Sequence, residues 1–175
     1  MALYYIRHGL TSWNLEKRIQ GHSDIALCDD GIKQAYEVKA LMQDIHIDKI
    51  YCSPLIRVKQ TCDIVNELWN APVVYEERIK ERYFGDYEGT LSDPSKDMWN
   101  FAIPNNIPNG EDLETFFNRI QNFLKTIENE IVDQNILIVA HGGVSLPCIE
   151  YYETLDRHSN IRSKMILNGE VKQFR

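Results

Sequence analysis

Residues 135–143 read "NILIVAHGG" and contain the clearest strand signal in the chain. Residues 136–139 form an uninterrupted apolar run, which is typical of a strand buried on both faces of a parallel sheet. The run gives way abruptly to His141 and Gly142. Ligands of open parallel sheets bind beyond the carboxyl ends of the strands. The residues that follow each strand therefore indicate what this edge of the sheet could bind.

Three further short apolar runs predict strands at 3–6 ("LYYI"), 49–52 ("KIYC") and 71–75 ("APVVY"). Between and after them lie stretches with helical spacing of apolar residues. A first helix is predicted over 29–44, with its apolar face formed by Ile32, Ala35, Val38 and Leu41 or Met42. A second is predicted over 53–69, with Ser53 as N-cap and Pro54 in the first turn. A third runs from Asn109 to about 131, with Glu111 and Asp112 in its first turn, and a fourth begins at about Gly143.

Residues 76–109 break this regularity with several glycines and prolines, Pro104 among them, and predict a long irregular segment of the kind that often serves function. The C-terminal "MILNGEVKQF", residues 165–174, has an Asn-Gly pair between apolar runs and predicts a hairpin.

Alternating strands and helices predict an α/β fold, a mostly parallel sheet covered by helices on both faces. The length of 175 residues and the 43% hydrophobic content suit one domain over residues 1–175. No stretch approaches the roughly 20 apolar residues that cross a bilayer, and no basic leader precedes the first apolar run. These features predict a cytoplasmic protein without a membrane partner.

The net charge of −7 argues against a nucleic-acid partner, because neutralising phosphates requires a basic surface. The four scattered cysteines predict free thiols rather than a zinc site or a disulfide framework: Cys28, Cys52, Cys62 and Cys148. Neither a metal-binding motif nor a paired-aspartate metal site is present in the sequence, so no metal is expected.

The strand ends carry a repeated pattern. Arg7 and His8 follow the first strand, Arg57 lies in the helix after the second, and His141 follows the strand at 136–140. Each residue alone could be an ordinary loop or surface residue. Together they would place two histidines and two arginines at one edge, and such a cluster repels itself unless an anion binds there. A phosphate dianion fits, because the planar guanidinium matches its oxygens.

Six segments resemble the motifs of the histidine phosphatase superfamily, which includes cofactor-dependent phosphoglycerate mutases. In chain order they are "RHGLTSWN" (7–14), "QGHSDIALCDDGIKQA" (20–35), "SPLIRVKQT" (53–61), "KERYFGDYEG" (80–89), "PNGED" (108–112) and "VAHGG" (139–143). Their order and strand context along nearly the whole chain make the resemblance specific. It implies a three-layer α/β/α sandwich of the phosphoglycerate mutase-like type.

The resemblance implies that His8 is the nucleophile and that Arg7, Arg57 and His141 hold the phosphoryl oxygens. A neutral imidazole suits attack on a dianion, and arginines supply the positive charge that magnesium supplies elsewhere. The family pattern also implies substrate binding by further residues of the same loops: Asn14, Gln20, Gly21 and Gly142, besides the two arginines.

An alkoxide leaving group needs a carboxylic acid as proton donor. By residue type alone Glu76, Glu77, Glu81 and Glu88 are all candidates. The resemblance selects Glu81. The acid-phosphatase branch places an aspartate directly after the second histidine, where this chain has Gly142.

Three functions fit the sequence. The first is a metal-independent phosphomonoester hydrolase that acts through a phosphohistidine and needs no cofactor. The second is a phosphoglycerate mutase, which must anchor a second anionic group. The third is a catalytically idle binding relative, which the presence of both histidines, both arginines and the acid disfavours.

The segment between the acid-bearing motif and the next helix favours the hydrolase. Lys96 is its only cation, and Met98, Trp99, Phe101 and Ile103 are apolar. This composition predicts a small, partly apolar phosphomonoester as substrate. Of the remaining histidines, His22 could contact substrate, His46 is expected on the surface, and His158 has no predicted role.

Overall fold

The computed structural model describes residues 1–103 and 107–175, so Pro104 lies outside the described residues. Within these ranges a sheet of five strands forms: β1 (Leu3–Arg7), β2 (Lys49–Cys52), β3 (Val73–Tyr75), β4 (Ile136–Ala140) and β5 (Val171–Gln173). The strand order is β3-β2-β4-β1-β5. The first four of these in spatial order are parallel, and β5 pairs antiparallel with β1 at the edge.

Helices cover both faces of this sheet: α1 (Ser12–Leu15), α2 (Asp29–Leu41), α3 (Ile56–Asn66), α4 (Leu113–Asp133) and α5 (Ser145–Tyr152). Short 3₁₀ turns occur at Glu77–Ile79, Gly85–Tyr87 and Ile161–Lys164. One core joins α4 and α5 to Ile136 and Ile138, and the other joins α2 and α3 to Leu137 and Val139. Alternate residues of β4 therefore pack into the cores on opposite faces of the sheet. Because both faces of this strand are buried, its apolar run is uninterrupted. The α/β/α expectation is confirmed.

None of the described helices combines the length and the apolar character that crossing a bilayer requires.

The register between β1 and β4 determines which residues meet at the end of the sheet. Arg7 pairs with Ala140 across β1 and β4, so the next residues of the two strands, His8 and His141, leave the sheet side by side.

Two predicted helix starts were too early. Helix α3 begins at Ile56 with Leu55 as N-cap, because the Ser53 hydroxyl contacts His141 instead of capping the helix. Helix α4 begins at Leu113, and its cap is Asp112, whose carboxylate accepts a hydrogen bond from the Thr115 N–H at 3.1 Å.

The predicted start of α4 at Asn109 is wrong because that residue has a φ of 54°, outside the helical region, and its side chain donates to Asp86. Of the two residues predicted for the last apolar position of α2, Met42, which caps the helix, is fully buried, whereas Leu41 is 73% exposed. Ile32, expected on the buried face, is 37% exposed, and Gly31 takes its place against the backbone of Leu10.

The predicted C-terminal hairpin is also wrong. Only Val171–Gln173 forms a strand, and it pairs with β1 rather than with the segment before Asn168. The Asn168 side chain donates to the carbonyl of His8 at 2.9 Å, and Gly169 turns the chain with a φ of 68°. Pairing with the edge of the existing sheet satisfies more backbone groups than an isolated hairpin would.

Candidate active site

His8 begins the site at the end of β1. Its N–H donates to the Ala140 carbonyl at 3.1 Å, which ties it to the neighbouring strand. Its ring is 3% exposed, and Nδ1 lies 2.7 Å from the carbonyl oxygen of Gly9. A carbonyl oxygen only accepts hydrogen bonds, so Nδ1 carries the proton. The lone pair of the neutral ring is therefore on Nε2.

His141 packs beside His8, with ring centroids 5.2 Å apart and the planes inclined at 68°. Its Nε2 lies 2.8 Å from the Ser53 hydroxyl. Nδ1 of the same ring is buried and has no hydrogen-bond partner among the residues that the structure describes. Buried polar atoms are rarely left unpaired, so Nδ1 is a candidate contact for a ligand.

Arg7 and Arg57 place two guanidinium groups against the histidines. Arg57 donates to the carbonyls of Ser23 and Gly21, each at 2.8 Å, and Arg7 donates to the carbonyl of Ile166 at 2.9 Å. In the described parts of the chain neither forms an ion pair, and both Nε atoms are buried without a partner. Backbone carbonyls fix these groups, and no carboxylate lies at ion-pair distance from either among the described residues, which suits an anionic ligand.

Burial and this positive charge determine the protonation of the histidines. Burial lowers the pKa of His8 well below its usual value, and the neighbouring Arg57 and Arg7 lower it further. The pKa of His141 is lowered in the same way, first by burial and then by Arg57. Burial also lowers the pKa of Arg57, to about 10. At neutral pH the site therefore holds two neutral imidazoles and charged arginines.

Glu81 approaches from the irregular segment after β3. One carboxylate oxygen accepts from the Arg82 N–H at 2.9 Å and the other from the Gly143 N–H at 3.0 Å. The other three candidate acids have different partners. Glu76 pairs with Arg78, Glu77 pairs with Lys80, and Glu88 accepts hydrogen bonds from the backbone of His22 and Ser23. Among the four, Glu81 is the one that lines a cavity together with His8.

Two glycines after β4 allow this close approach. A Cβ on Gly142 would lie 2.7 Å from Cζ of Arg7, and one on Gly143 would lie 2.2 Å from Oε1 of Glu81. Side chains at these positions would displace the guanidinium or the carboxylate. The two glycines of "VAHGG" therefore make room for charged groups of other segments, a role different from allowing a turn.

The cavity beside His8 has a volume of about 380 Å³, within the range of small-molecule sites. Most of the residues predicted from the sequence line it: Arg7, His8, Asn14, Gln20, Gly21, Arg57 and Glu81. His141 and Gly142 are not among the lining residues, although His141 packs on His8 and Gly142 lies against Arg7. The side chains of Asn14 and Gln20 are also engaged with Thr11, which caps α1.

Several residues of the site were not found by sequence reasoning. Ser53 was interpreted as a helix cap, and its contact with His141 follows only from the pairing of β2 with β4. Met165 lines the cavity and was not predicted, whereas Trp99, which also lines it, belongs to the apolar segment from which a partly apolar substrate was predicted. His22 does not line it: its Nε2 lies 2.8 Å from the Glu81 carbonyl, and its ring packs on Tyr83.

In the described part of the chain, no group of three or more histidine, cysteine, aspartate or glutamate side chains is arranged to hold a metal ion. The positive charge of the site comes from arginine. Three buried nitrogens of the site have no hydrogen-bond partner among the described residues: Nε of Arg7, Nε of Arg57 and Nδ1 of His141.

Comparisons with known proteins identify the family of this chain. The family model described as histidine phosphatase superfamily (branch 1) matches residues 3–174. The chain is 39% identical over 144 residues to the uncharacterized phosphatase PhoE of Bacillus subtilis, covering 81% of this chain and 72% of PhoE. It is 29% identical over 157 residues to the probable phosphoglycerate mutase GpmB of Shigella dysenteriae, covering 85% and 73%.

Among solved structures, the α-ribazole phosphatase of Shigella flexneri superposes with a TM-score of 0.83 at 29% identity, covering 99% of this chain and 89% of that one. The match to the family model over nearly the whole chain and the 39% identity to PhoE show the family. The chain belongs to branch 1 of the histidine phosphatase superfamily and is a phosphatase with the phosphoglycerate mutase-like fold.

Proposed function

We propose that this phosphatase hydrolyses monoesters of small phosphorylated metabolites through a covalent phosphohistidine at Nε2 of His8. The observation that carries the proposal is the hydrogen bond from Nδ1 to the Gly9 carbonyl at 2.7 Å. It directs the lone pair to Nε2, in a ring that lines the cavity. The lowered pKa keeps that lone pair unprotonated at neutral pH.

In the first step Nε2 of His8 attacks phosphorus while the bond from phosphorus to the ester oxygen breaks. Glu81, in its acid form, gives a proton to the departing alkoxide. In the second step water attacks the phosphohistidine, and the Glu81 carboxylate takes a proton from that water. The electron pair of the N–P bond returns to Nε2, which leaves inorganic phosphate and the original ring.

Arg7, Arg57 and Nδ1 of His141 would donate to the phosphoryl oxygens in both steps. Donors fixed before the reaction stabilise developing charge without reorganisation, and the backbone contacts of Arg7 and Arg57 support this role. Asn14, Gln20, Gly21 and Gly142 complete the surroundings of the substrate.

We also propose that residues 1–175 act as one domain in the cytoplasm, without a metal or another cofactor. Support for one domain comes from the sheet, in which β5 near the C-terminus pairs with β1 near the N-terminus. Two guanidinium groups would perform the charge stabilisation that a metal performs in other phosphoryl-transfer enzymes. Hydrolysis should therefore proceed equally with and without EDTA, and chelator inhibition would contradict metal independence.

The decisive experiment is to trap the intermediate. Enzyme mixed with a ³²P-labelled monoester and quenched in alkali should carry label that is acid-labile and maps to His8. The His8→Asn variant should take up no label. The matched control is His46→Asn, because His46 is exposed and contacts Asp48. Absence of label from wild type that turns over substrate would overturn the proposed mechanism. Assaying mutase activity in parallel separates the second candidate function.

A further inference from the structure

Three exposed cations line the cavity that contains His8: Lys17, Arg18 and Arg162. They come from two distant segments. Lys17 and Arg18 follow α1, and Arg162 lies in the 3₁₀ turn Ile161–Lys164. In a chain with a net charge of −7, this concentration of positive charge in one cavity indicates an anionic ligand.

Ser92 brings the two segments together. Its N–H donates to the Lys17 carbonyl at 2.7 Å, and its hydroxyl lies 3.4 Å from Nη2 of Arg162. Arg18 is held by the Gly89 carbonyl at 2.7 Å and by the Glu16 carboxylate at 2.6 Å. The backbone around Ser92 therefore fixes the base of Lys17 and lies next to the guanidinium of Arg162.

Of the three cations, only Arg18 forms an ion pair among the described residues. Glu16 neutralises Arg18. The Asp93 carboxylate accepts from both the N–H and the hydroxyl of Ser95, at 2.9 and 2.7 Å. Within residues 1–103 and 107–175, Lys17 and Arg162 have no carboxylate at ion-pair distance. Their charges are available to a ligand.

Apolar side chains form a wall of the same cavity. Phe84, Met98 and Trp99 line the cavity, and the Trp99 ring packs edge-on against Phe84 at 5.8 Å. The buried Arg82 guanidinium lies 5.6 Å from the Trp99 ring and donates to the Met98 carbonyl. The wall is thus held in place, and it suits an uncharged segment between two anionic groups.

We propose that Lys17 and Arg162 form a second anion subsite, and that preferred substrates are phosphomonoesters with a further carboxylate or phosphate beyond an apolar segment. This inference rests on the proposed function, since it assumes that the phosphate to be cleaved lies beside His8. The proposal keeps the apolar part of the substrate, which was predicted from the composition of residues 90–109. It adds a second anionic group to that substrate, because Lys17 and Arg162 lie outside residues 90–109.

The test compares ω-carboxyalkyl phosphates of two to six carbons with their methyl esters, which differ only by the second charge. Wild type should show a higher kcat/KM for the acid than for its ester at one chain length at least, by about 3- to 10-fold. The preference should shrink with added salt, because the subsite is exposed to solvent. α,ω-Alkane bisphosphates of the same lengths show whether phosphate serves better than carboxylate.

The double variant Lys17→Gln/Arg162→Gln should lose the preference, with the acid affected about 3- to 10-fold more than its ester. The matched control Lys125→Gln also removes a positive charge, from an exposed position on α4, and should keep the preference. Equal activity on acid and ester at every length, or a preference that survives in the double variant, would overturn the subsite.

Binding separates this inference from the proposed function. Calorimetry with ω-carboxyalkyl phosphonates, which cannot be hydrolysed, should show tighter binding of the acid than of its ester, lost in the double variant. If the phosphonates discriminate but wild type hydrolyses no monoester, the proposed function fails and the subsite stands. If every monoester is hydrolysed but neither assay discriminates, the subsite fails and the proposed function stands.

Discussion

Ser53 Oγ lies 2.8 Å from Nε2 of His141, across a sequence separation of 88 residues. The contact exists because β2 and β4 are neighbours, with Cys52 paired to Val139, so the residues beyond the two strands meet at the sheet edge. It engages Nε2 and leaves Nδ1 of His141 as the ring nitrogen that can contact a phosphoryl group.

Replacing Ser53 by alanine should lower kcat by about 10- to 100-fold, because the His141 ring loses the contact that orients it. Thermal unfolding measured in parallel separates this effect from a loss of fold. Thr126→Ala, which removes a hydroxyl bonded within α4, is the matched control and should keep full activity. An unchanged kcat in Ser53→Ala would show that packing alone orients His141.

Glu81→Gln should slow hydrolysis of alkyl phosphates by about 10²- to 10⁴-fold, because the alkoxide then leaves without a proton. p-Nitrophenyl phosphate should be much less affected, because its leaving group needs little protonation. The control is Glu77→Gln, which removes an exposed carboxylate paired with Lys80 at 2.6 Å. Equal losses on both substrates in Glu81→Gln would assign the proton transfer to another group.

Gly143→Ala should reproduce the substrate pattern of Glu81→Gln without removing the acid. The added Cβ would lie 2.2 Å from Oε1 of Glu81 and 2.4 Å from Cη2 of Trp99, so the carboxylate has to move. We expect a loss of about 10²-fold on alkyl phosphates and a smaller one on p-nitrophenyl phosphate. A variant that folds and hydrolyses both substrates normally would show that the carboxylate position is not critical.

Acidification should destabilise the fold through the two buried histidines. Their pKa values are lowered in the folded chain, whereas an unfolded histidine titrates near about 6.5. Below that pH the unfolded state binds protons that the folded state excludes, so the free energy of unfolding falls as pH falls. Each histidine contributes at most about 1.4 kcal/mol per pH unit.

Urea denaturation at several values between about pH 5 and 6.5 measures how steeply the free energy of unfolding changes with pH, above the range in which most carboxylates titrate. This slope should decrease in His8→Gln and decrease further in His8→Gln/His141→Gln. A slope that is the same in wild type and in both variants would show that neither histidine is held neutral by the fold.

The order of strands and helices could be predicted from the sequence, because apolar periodicity reports which residues are buried and therefore which element they form. Local signals were less decisive where a distant partner competes. Ser53 has the side chain of a helix cap but contacts His141, and Asn168 has the sequence context of a hairpin turn but contacts His8. In both cases the preferred local structure gives way to a contact made by another strand end.

The sequence by itself determined the α/β fold, because buried strands read as apolar runs. It also predicted that Arg7, His8, Arg57 and His141 come together, because the parallel arrangement brings the residues after the strands to one edge. By residue type four glutamates were candidates, and the motif resemblance selected Glu81. Only the tertiary structure showed that Glu81 lines the same cavity as His8, and that Lys17 and Arg162 line it too. The physical reason is that position within the irregular segments depends on backbone hydrogen bonds between distant residues, such as Glu81 to Gly143 and Ser92 to Lys17. Such bonds leave no periodic signal in a sequence.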